Sequence, residues 1–479
     1  MQKSTAQTGL VAQMLRRKSP ARLIADAGQA RTALRRALGP LDLTALGVGA
    51  IIGAGIFVLT GVAASEIAGP GIVLSLVIDG FACAMAALCY AELATMVPVA
   101  GSAYTYCYAT MGEMVAWIIG WDLMLEYAVG AATVAVGWSG YFTLILKGFG
   151  ISLPAALTHA PFTAPGAIIN LPACLIVLAT SALLYVGISS SARVNSLVVG
   201  VKLAAVAIVI AAGAFFVKRH NWVPFAPYGW IGITRGAGYM FFAFIGFDAL
   251  STVAEEAVNP KRDLPIGIFG SLSLCTVLYI LVALVVTGMT PYRSLDLNAP
   301  LASAFFDHGL SFLSSVISLG AVAGLTSVQL VLLLGQSRIF FAMSRDGLLP
   351  SAFCRVHPRF RTPTLPTIVT GVSVAVMAGM LPIDLVAELT NIGTLFAFVL
   401  VCLGVWALRI TAPELQRPFV TPLVPLVPLL GVGFCATLMA SLKPVTWLRF
   451  LVWLAVGIVI YLTYGRSHSR LDADDKSAT

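Results

Sequence analysis

Apolar residues run through this chain in long continuous stretches, and polar, Pro, Gly and basic residues collect in the gaps. The stretches predict twelve helical spans, near 42–66, 71–98, 111–147, 166–187, 192–217, 235–257, 264–289, 311–342, 364–381, 384–410, 422–441 and 444–464. A spanning helix needs roughly 20 apolar residues, whereas a membrane β-barrel would show short segments of strict alternation. The predicted fold class is therefore an all-α integral membrane protein. The third and eighth stretches are long enough to tilt or to project into water. The longest connecting loops fall near 148–165, 218–234 and 290–310 on one side and 343–363 on the other, and none forms a separate soluble domain.

Composition sharpens this picture. The 479 residues are 59% hydrophobic and 10% charged, with a mean hydropathy of +0.93. A soluble domain carries about a quarter charged residues, so hydrocarbon must cover most of this surface. The net charge of +8 would fit nucleic acid if it were clustered, but its placement reads as topology. With the N-terminus inside, 21 of the 29 Lys and Arg residues fall on the cytoplasmic side and seven outside, with Lys202 left within a span. Positive charge favours the inside, which predicts a plasma-membrane protein with both termini cytoplasmic and no nucleic-acid partner. The first apolar run follows about 40 polar and basic residues, which is not a secretory-signal layout. Leu15–Leu38 fits a surface-lying amphipathic helix and equally a basic tail that sets topology. The domain plan is a basic segment at 1–40, a membrane domain at 41–465 and a short tail at 466–479.

The eight cysteines show no CxxC pair and lie mostly in apolar runs, as small core residues do. His159, His220, His308, His357 and His468 all fall in predicted loops or tails, and neither HExxH nor a Walker A sequence occurs. The sequence thus calls for no cofactor, no resident metal, no ATP drive and no obligatory protein partner, and it argues against an enzyme.

Two spans are interrupted. The first reads Gly47-Val48-Gly49-Ala50-Ile51-Ile52-Gly53-Ala54-Gly55, with four glycines in nine residues. Each costs a helix interior about 1 kcal/mol relative to Ala, although close helix packing in membranes also uses small residues. The sixth reads Phe241-Phe242-Ala243-Phe244-Ile245-Gly246-Phe247-Asp248, where a glycine and a carboxylate break an aromatic run. Interrupted helices at corresponding places in two halves point to an inverted-repeat transporter. The repeats would span 42–217 and 235–410, with two added helices at 422–464. A break frees backbone N–H groups at the start of one half-helix, which suit a carboxylate, and carbonyls at the end of the other, which suit an ammonium. An α-amino acid zwitterion carries both groups a bond or two apart.

At these residues the chain resembles a known family. GAIIGAGIFVLTG at 49–61, YAELATMVPVAGSAYTY at 90–106, GWDLMLEYAVG at 120–130, FFAFIGFDALSTVAEEAVNPKRDLPIGI at 241–268 and GQSRIFFAMSRDGLLP at 335–350 occur in order. Together they are similar to the amino acid–polyamine–organocation superfamily, and within it to bacterial members of the cationic amino acid transporter family. The resemblance implies the LeuT-type fold of two five-helix inverted repeats plus two C-terminal helices. It implies that a substrate carboxylate meets the N–H groups of Gly53, Ala54 and Gly55, and that the amino group meets carbonyls near Ile51, Phe242, Ala243 and Ile245. Many relatives carry a hydroxyl residue where Ala54 stands, so one carboxylate contact is missing here. Lys202 resembles a replacement for a sodium ion, its ammonium tying carbonyls of the first half-helix to the eighth span, which implies sodium-independent transport.

Ionisable groups inside spans are costly and functional by default. Glu126 follows Asp122 by four residues, so the two share a helix face, and Glu126 is the first candidate for proton coupling, with a structural acceptor as the alternative. Asp248 is placed to cap N–H groups freed by the second break, with direct substrate contact as the alternative, and it joins Glu126 and Lys202 as a candidate for coupling or gating. Glu255, Glu256, Lys261, Arg262 and Asp263 suggest an inner charge network that gates, while Asp79 and Glu92 have no clear part. Phe242, Phe244 and Phe247 are candidates to line or cover a cavity, and so are Leu325 and Thr326 in the eighth span, where a bulky Leu325 favours a small neutral cargo. The resulting expectation is a proton-coupled permease for small neutral amino acids, with amino acid, protons and the lipid bilayer as its partners. A cationic amino acid or polyamine exchanger and a non-transporting amino acid sensor remain open.

Overall fold

The structure, a computed structural model, describes residues 14, 16–18, 38–98, 102–186, 192–360 and 362–470. The predicted N-terminal amphipathic segment lies almost wholly outside the described residues, as does most of the C-terminal tail. The described residues are helical and form no strand beyond three isolated bridges. We number the main helices α1 (Pro40–Ile51), α2 (the helical run 55–68), α3 (Ile72–Met96), α4 (Ser102–Thr110), α5 (Glu113–Gly148), α6 (Leu171–Val186), α7 (Ala192–Gly213), α8 (Gly229–Met240), α9 (Pro260–Met289), α10 (Pro300–Asp307), α11 (Ser311–Arg345), α12 (Thr364–Met380), α13 (Ile383–Thr411), α14 (Leu426–Ser441) and α15 (Pro444–Ile460). Seven described helical runs are long and apolar enough to cross a membrane, and α6, α12 and α14 are shorter apolar helices.

Helix starts follow local chemistry. Pro40, Pro260, Pro300 and Pro444 each open a helix, where a missing N–H costs nothing and φ is already helical. Asp42 accepts the Gly39 N–H at 3.0 Å and Asp263 accepts the Asn259 N–H at 3.0 Å, each carboxylate reaching back from the first turn. Asp263 is thus a helix-start residue, and the rest of the predicted inner charge network includes Glu255 and Glu256, whose side chains lie outside the described residues. Two helices went unread in the sequence, α4 between the second and third spans and α10 within the predicted 290–310 loop.

The outside is apolar. Val445, Leu448, Val452, Val456 and Val459 form an exposed stripe along α15 at helical spacing, the pattern of a lipid-facing surface. Lipid tails are as apolar as the core, so helices associate through close packing and hydrogen bonds worth about 0.6–2 kcal/mol each. Trp121 of α5 stacks on Trp453 of α15 with ring centroids 4.4 Å apart. Their indole N–H groups donate to each other's main-chain carbonyls at 2.8 and 3.1 Å. Trp117 adds a bond to the Gly457 carbonyl at 2.8 Å, so the last helix is fastened to α5 over two turns. Glu92, undecided from sequence, is buried at the end of α3. It accepts a two-pronged bond from Arg409, an ion pair from Arg417 and the Thr421 N–H, which pins α3 to the end of α13.

Candidate binding site between two helix breaks

Helix α1 ends at Ile51, Ile52 is extended (φ −70°, ψ 102°), and the helix resumes at Gly55 with wide π turns. Past α8 the chain tightens into a 3₁₀ turn at Phe241–Phe244. Ile245 is extended (φ −61°, ψ 135°), Gly246 has φ +123°, and a 3₁₀ run continues at Asp248–Glu256. The two breaks cross. A Cβ on Gly55 would overlap the Ala243 main chain, and one on Gly246 would lie 2.8 Å from the Ala50 carbonyl. Glycine is required at 246 twice over, for space and for a φ that L residues rarely adopt.

Buried polar groups hold the breaks. The Tyr279 hydroxyl of α9 sits 2.8 Å from the Ile51 carbonyl oxygen and 2.9 Å from that of Ala243. The Lys202 ammonium of α7 donates to the carbonyls of Gly49 at 2.5 Å and Ile52 at 3.1 Å. Its stem packs on Gly324 of α11, where a Cβ would come within 2.9 Å of Lys202 Cγ. Asn391 of α13 donates to the carbonyls of Gly238 and Tyr239 just before the second break, both at 2.9 Å. Backbone freed within a membrane survives only where protein or a cavity satisfies it, and these three side chains supply donors.

A small cavity lies between the breaks. Ala50, Ile51, Gly53, Ala54, Gly55, Phe242, Ile245, Gly246, Asp248 and Ala249 form one side. Glu126, Tyr127 and Gly130 of α5, Val328, Val331 and Leu332 of α11 and Thr390 of α13 form the other. Of the residues singled out in the sequence, Ile51, Gly53, Ala54, Gly55, Phe242, Ile245, Glu126 and Asp248 come together here. Lys202 does not line the cavity and lies behind the first break. Ala243 does not line it either; its Cα packs against Gly55.

Asp248 accepts the Gly246 N–H at 3.2 Å, closing the turn of the second break. Glu126 is buried, and among the described residues neither of its carboxyl oxygens has a hydrogen-bond partner. The adjoining Thr394 hydroxyl is directed to the Thr390 carbonyl at 3.1 Å. Asp122, one turn away, is likewise buried with both oxygens unpartnered among the described residues, its carboxyl group set against Gly393. Asp79 shares that condition but lines no part of the cavity.

Four further sequence expectations need correction. Phe244 packs edge-on to Tyr279, and Phe247 packs on Tyr90 and Phe398, so neither reaches the cavity. Leu325 is fully buried away from it. The Thr326 hydroxyl accepts the Trp138 indole N–H and donates to the Val322 carbonyl. The cavity face of α11 is instead Val328, Val331 and Leu332, one turn further on.

Apolar helices around a cavity built on two helix breaks are the architecture of a membrane transport protein. The model of the amino acid permease family matches residues 38–463, and the chain belongs to this family, within the amino acid–polyamine–organocation superfamily. It is 49% identical to a branched-chain amino acid permease, BcaP, of Bacillus subtilis over 96% of this chain and 99% of that protein. It is 45% identical to a methylthioribose transporter of the same species over 95% and 99%. It is 41% identical to a vacuolar cationic amino acid transporter of Arabidopsis thaliana over 80% of this chain and 61% of that longer protein.

Proposed function

We propose that this permease is a secondary active transporter that carries neutral α-amino acids across the plasma membrane by alternating access, with a proton and without sodium. The observation that carries this reading is the chemistry of the cavity's two sides. One side is main chain from two helix breaks, with N–H groups at Gly53–Gly55 for a carboxylate and carbonyls near Ile51, Phe242 and Ile245 for an ammonium. The other is largely apolar, with Glu126, the Tyr127 phenol and Thr390 as its polar residues. An unpaired carboxyl group in such a wall suits a proton carrier, because its charged form is costly there. Lys202 supplies a fixed cation at carbonyls that a sodium ion would otherwise satisfy. Asp248 serves the second break as a turn-closing acceptor. In this reading twelve spans form repeats at 42–217 and 235–410, with α14 and α15 added and both termini cytoplasmic.

The apolar wall moves the cargo from the small residues suggested by Leu325 to neutral aliphatic ones, in keeping with the branched-chain permease relative. A second reading rests on Glu126 itself. A carboxylate in the cavity wall can pair with a cationic side chain, as would suit the cationic transporter relative. A third cargo, methylthioribose, has no zwitterion for the breaks to hold.

Purified protein in liposomes separates these readings. Radiolabelled alanine, leucine and arginine uptake is measured with an inward proton gradient imposed and then collapsed, in sodium and in choline buffer. Leucine and alanine should accumulate only while the gradient lasts and equally in both buffers. Arginine uptake with both neutral residues excluded, or inhibition by methylthioribose alone, would overturn the proposal.

A further inference from the structure

We propose that Gly130 of α5, with the Thr390 methyl group and Leu332, forms a corner of the cavity that sets the largest side chain this permease accepts. The inference rests on the proposed cargo, whose charged groups occupy the helix breaks. With the carboxylate and ammonium on that side, a side chain can extend only toward the wall from α5, α11 and α13. Gly130, Leu332 and Thr390 meet in that wall.

The corner is open because position 130 has no side chain. A Cβ built there would lie 3.5 Å from Thr390 Cγ2, 3.6 Å from Leu332 Cδ1 and 4.0 Å from Thr390 Oγ1, ordinary contacts that require nothing to shift. All three atoms belong to residues that line the cavity. The glycine is therefore not demanded by close helix packing. At Gly55 and Gly246, by contrast, a Cβ would strike main chain. Thr390 contributes apolar surface, since its hydroxyl donates to the Val386 carbonyl of its own helix at 3.0 Å. A methyl at 130 would fit the fold and occupy space that a branched or longer cargo needs. One methylene in an apolar pocket discriminates by about tenfold or more.

The test is the ratio of leucine to alanine uptake by full-length protein in liposomes, for the natural sequence, Gly130→Ala, Gly130→Val and Thr390→Ser. The ratio should fall about tenfold in Gly130→Ala and further in Gly130→Val. It should hold or rise in Thr390→Ser, which removes the methyl and keeps the hydroxyl. A ratio unchanged within about twofold in the Gly130 variants, whether or not total uptake falls, overturns the size filter. If Gly130→Ala gives no folded protein, Thr390→Ser decides alone, and a falling ratio overturns it. Should the natural sequence carry arginine and exclude both neutral residues, the cargo assignment fails separately. The same variants are then compared on lysine against 2,3-diaminopropionate, where an unchanged ratio overturns the filter.

Discussion

The Tyr279 hydroxyl lies 2.8 Å from the carbonyl oxygen of Ile51, the last residue of α1, and the same hydroxyl lies 2.9 Å from the carbonyl of Ala243. One side chain from α9 thereby joins both helix breaks and fixes their spacing. Tyr279→Phe keeps the ring and removes the donor, leaving two buried carbonyls to share none. An unsatisfied buried acceptor costs about 1–3 kcal/mol. Thermal unfolding in detergent should show that loss, and uptake should fall with it. Unaltered stability and transport in the Tyr279→Phe variant would mean the hydroxyl positions nothing.

The glycines of the first break are unequal. A Cβ at Gly53 would meet the Val328 side chain at 3.2 Å, whereas one at Gly55 would overlap the Ala243 main chain. Side chains yield more readily than backbone. Gly55→Ala should abolish substrate binding by forcing the breaks apart, while Gly53→Ala should keep measurable binding. Equal effects in a binding assay on detergent-purified protein would contradict the crossing of the two breaks.

Lys202 is buried and donates to Gly49 and Ile52. Lys202→Met keeps much of the stem and removes the cation. The expected result is at least a tenfold loss of uptake, with unfolding at lower temperature, since two carbonyls lose a charge-assisted bond. Full transport by the Lys202→Met variant would show that the ammonium is dispensable at the break.

Glu92 anchors the C-terminal end of α3 to two arginines and one amide. Glu92→Gln leaves the Arg409 and Arg417 charges without their counter-charge, and breaking such a buried pair costs about 3 kcal/mol or more. The unfolding temperature should drop clearly, and an unchanged value would remove Glu92 from the account of stability.

Much of this site was legible in sequence because breaks are written in unusual residues. Gly53 and Gly55, and a Gly-Phe-Asp interruption of an aromatic run, mark the backbone that leaves the helix, whereas Gly47 and Gly49 stay within α1. Glu126 stood out because a carboxylate in an apolar span needs a reason. The face of α11 was not legible. That helix is apolar almost all round, so its composition does not encode its rotation, and Val328, Val331 and Leu332 look no different from Leu325. Tyr279 was also passed over, although a phenol within an apolar span is itself a signal, since its O–H usually finds a partner when buried. Ala243 illustrates a further limit. Near an extended residue, which carbonyls face the cavity depends on one dihedral angle, and residue identity does not report it.

The central claim is that the two helix breaks grip a carboxylate and an ammonium together. The most direct test is inhibition of labelled leucine uptake by unlabelled leucine, leucine methyl ester, isopentylamine and 4-methylpentanoate, which share the side chain and differ in its charged groups. The account predicts inhibition by leucine alone, with each one-charge analogue at least a hundredfold weaker. Inhibition by isopentylamine or 4-methylpentanoate at leucine's own concentration would contradict it.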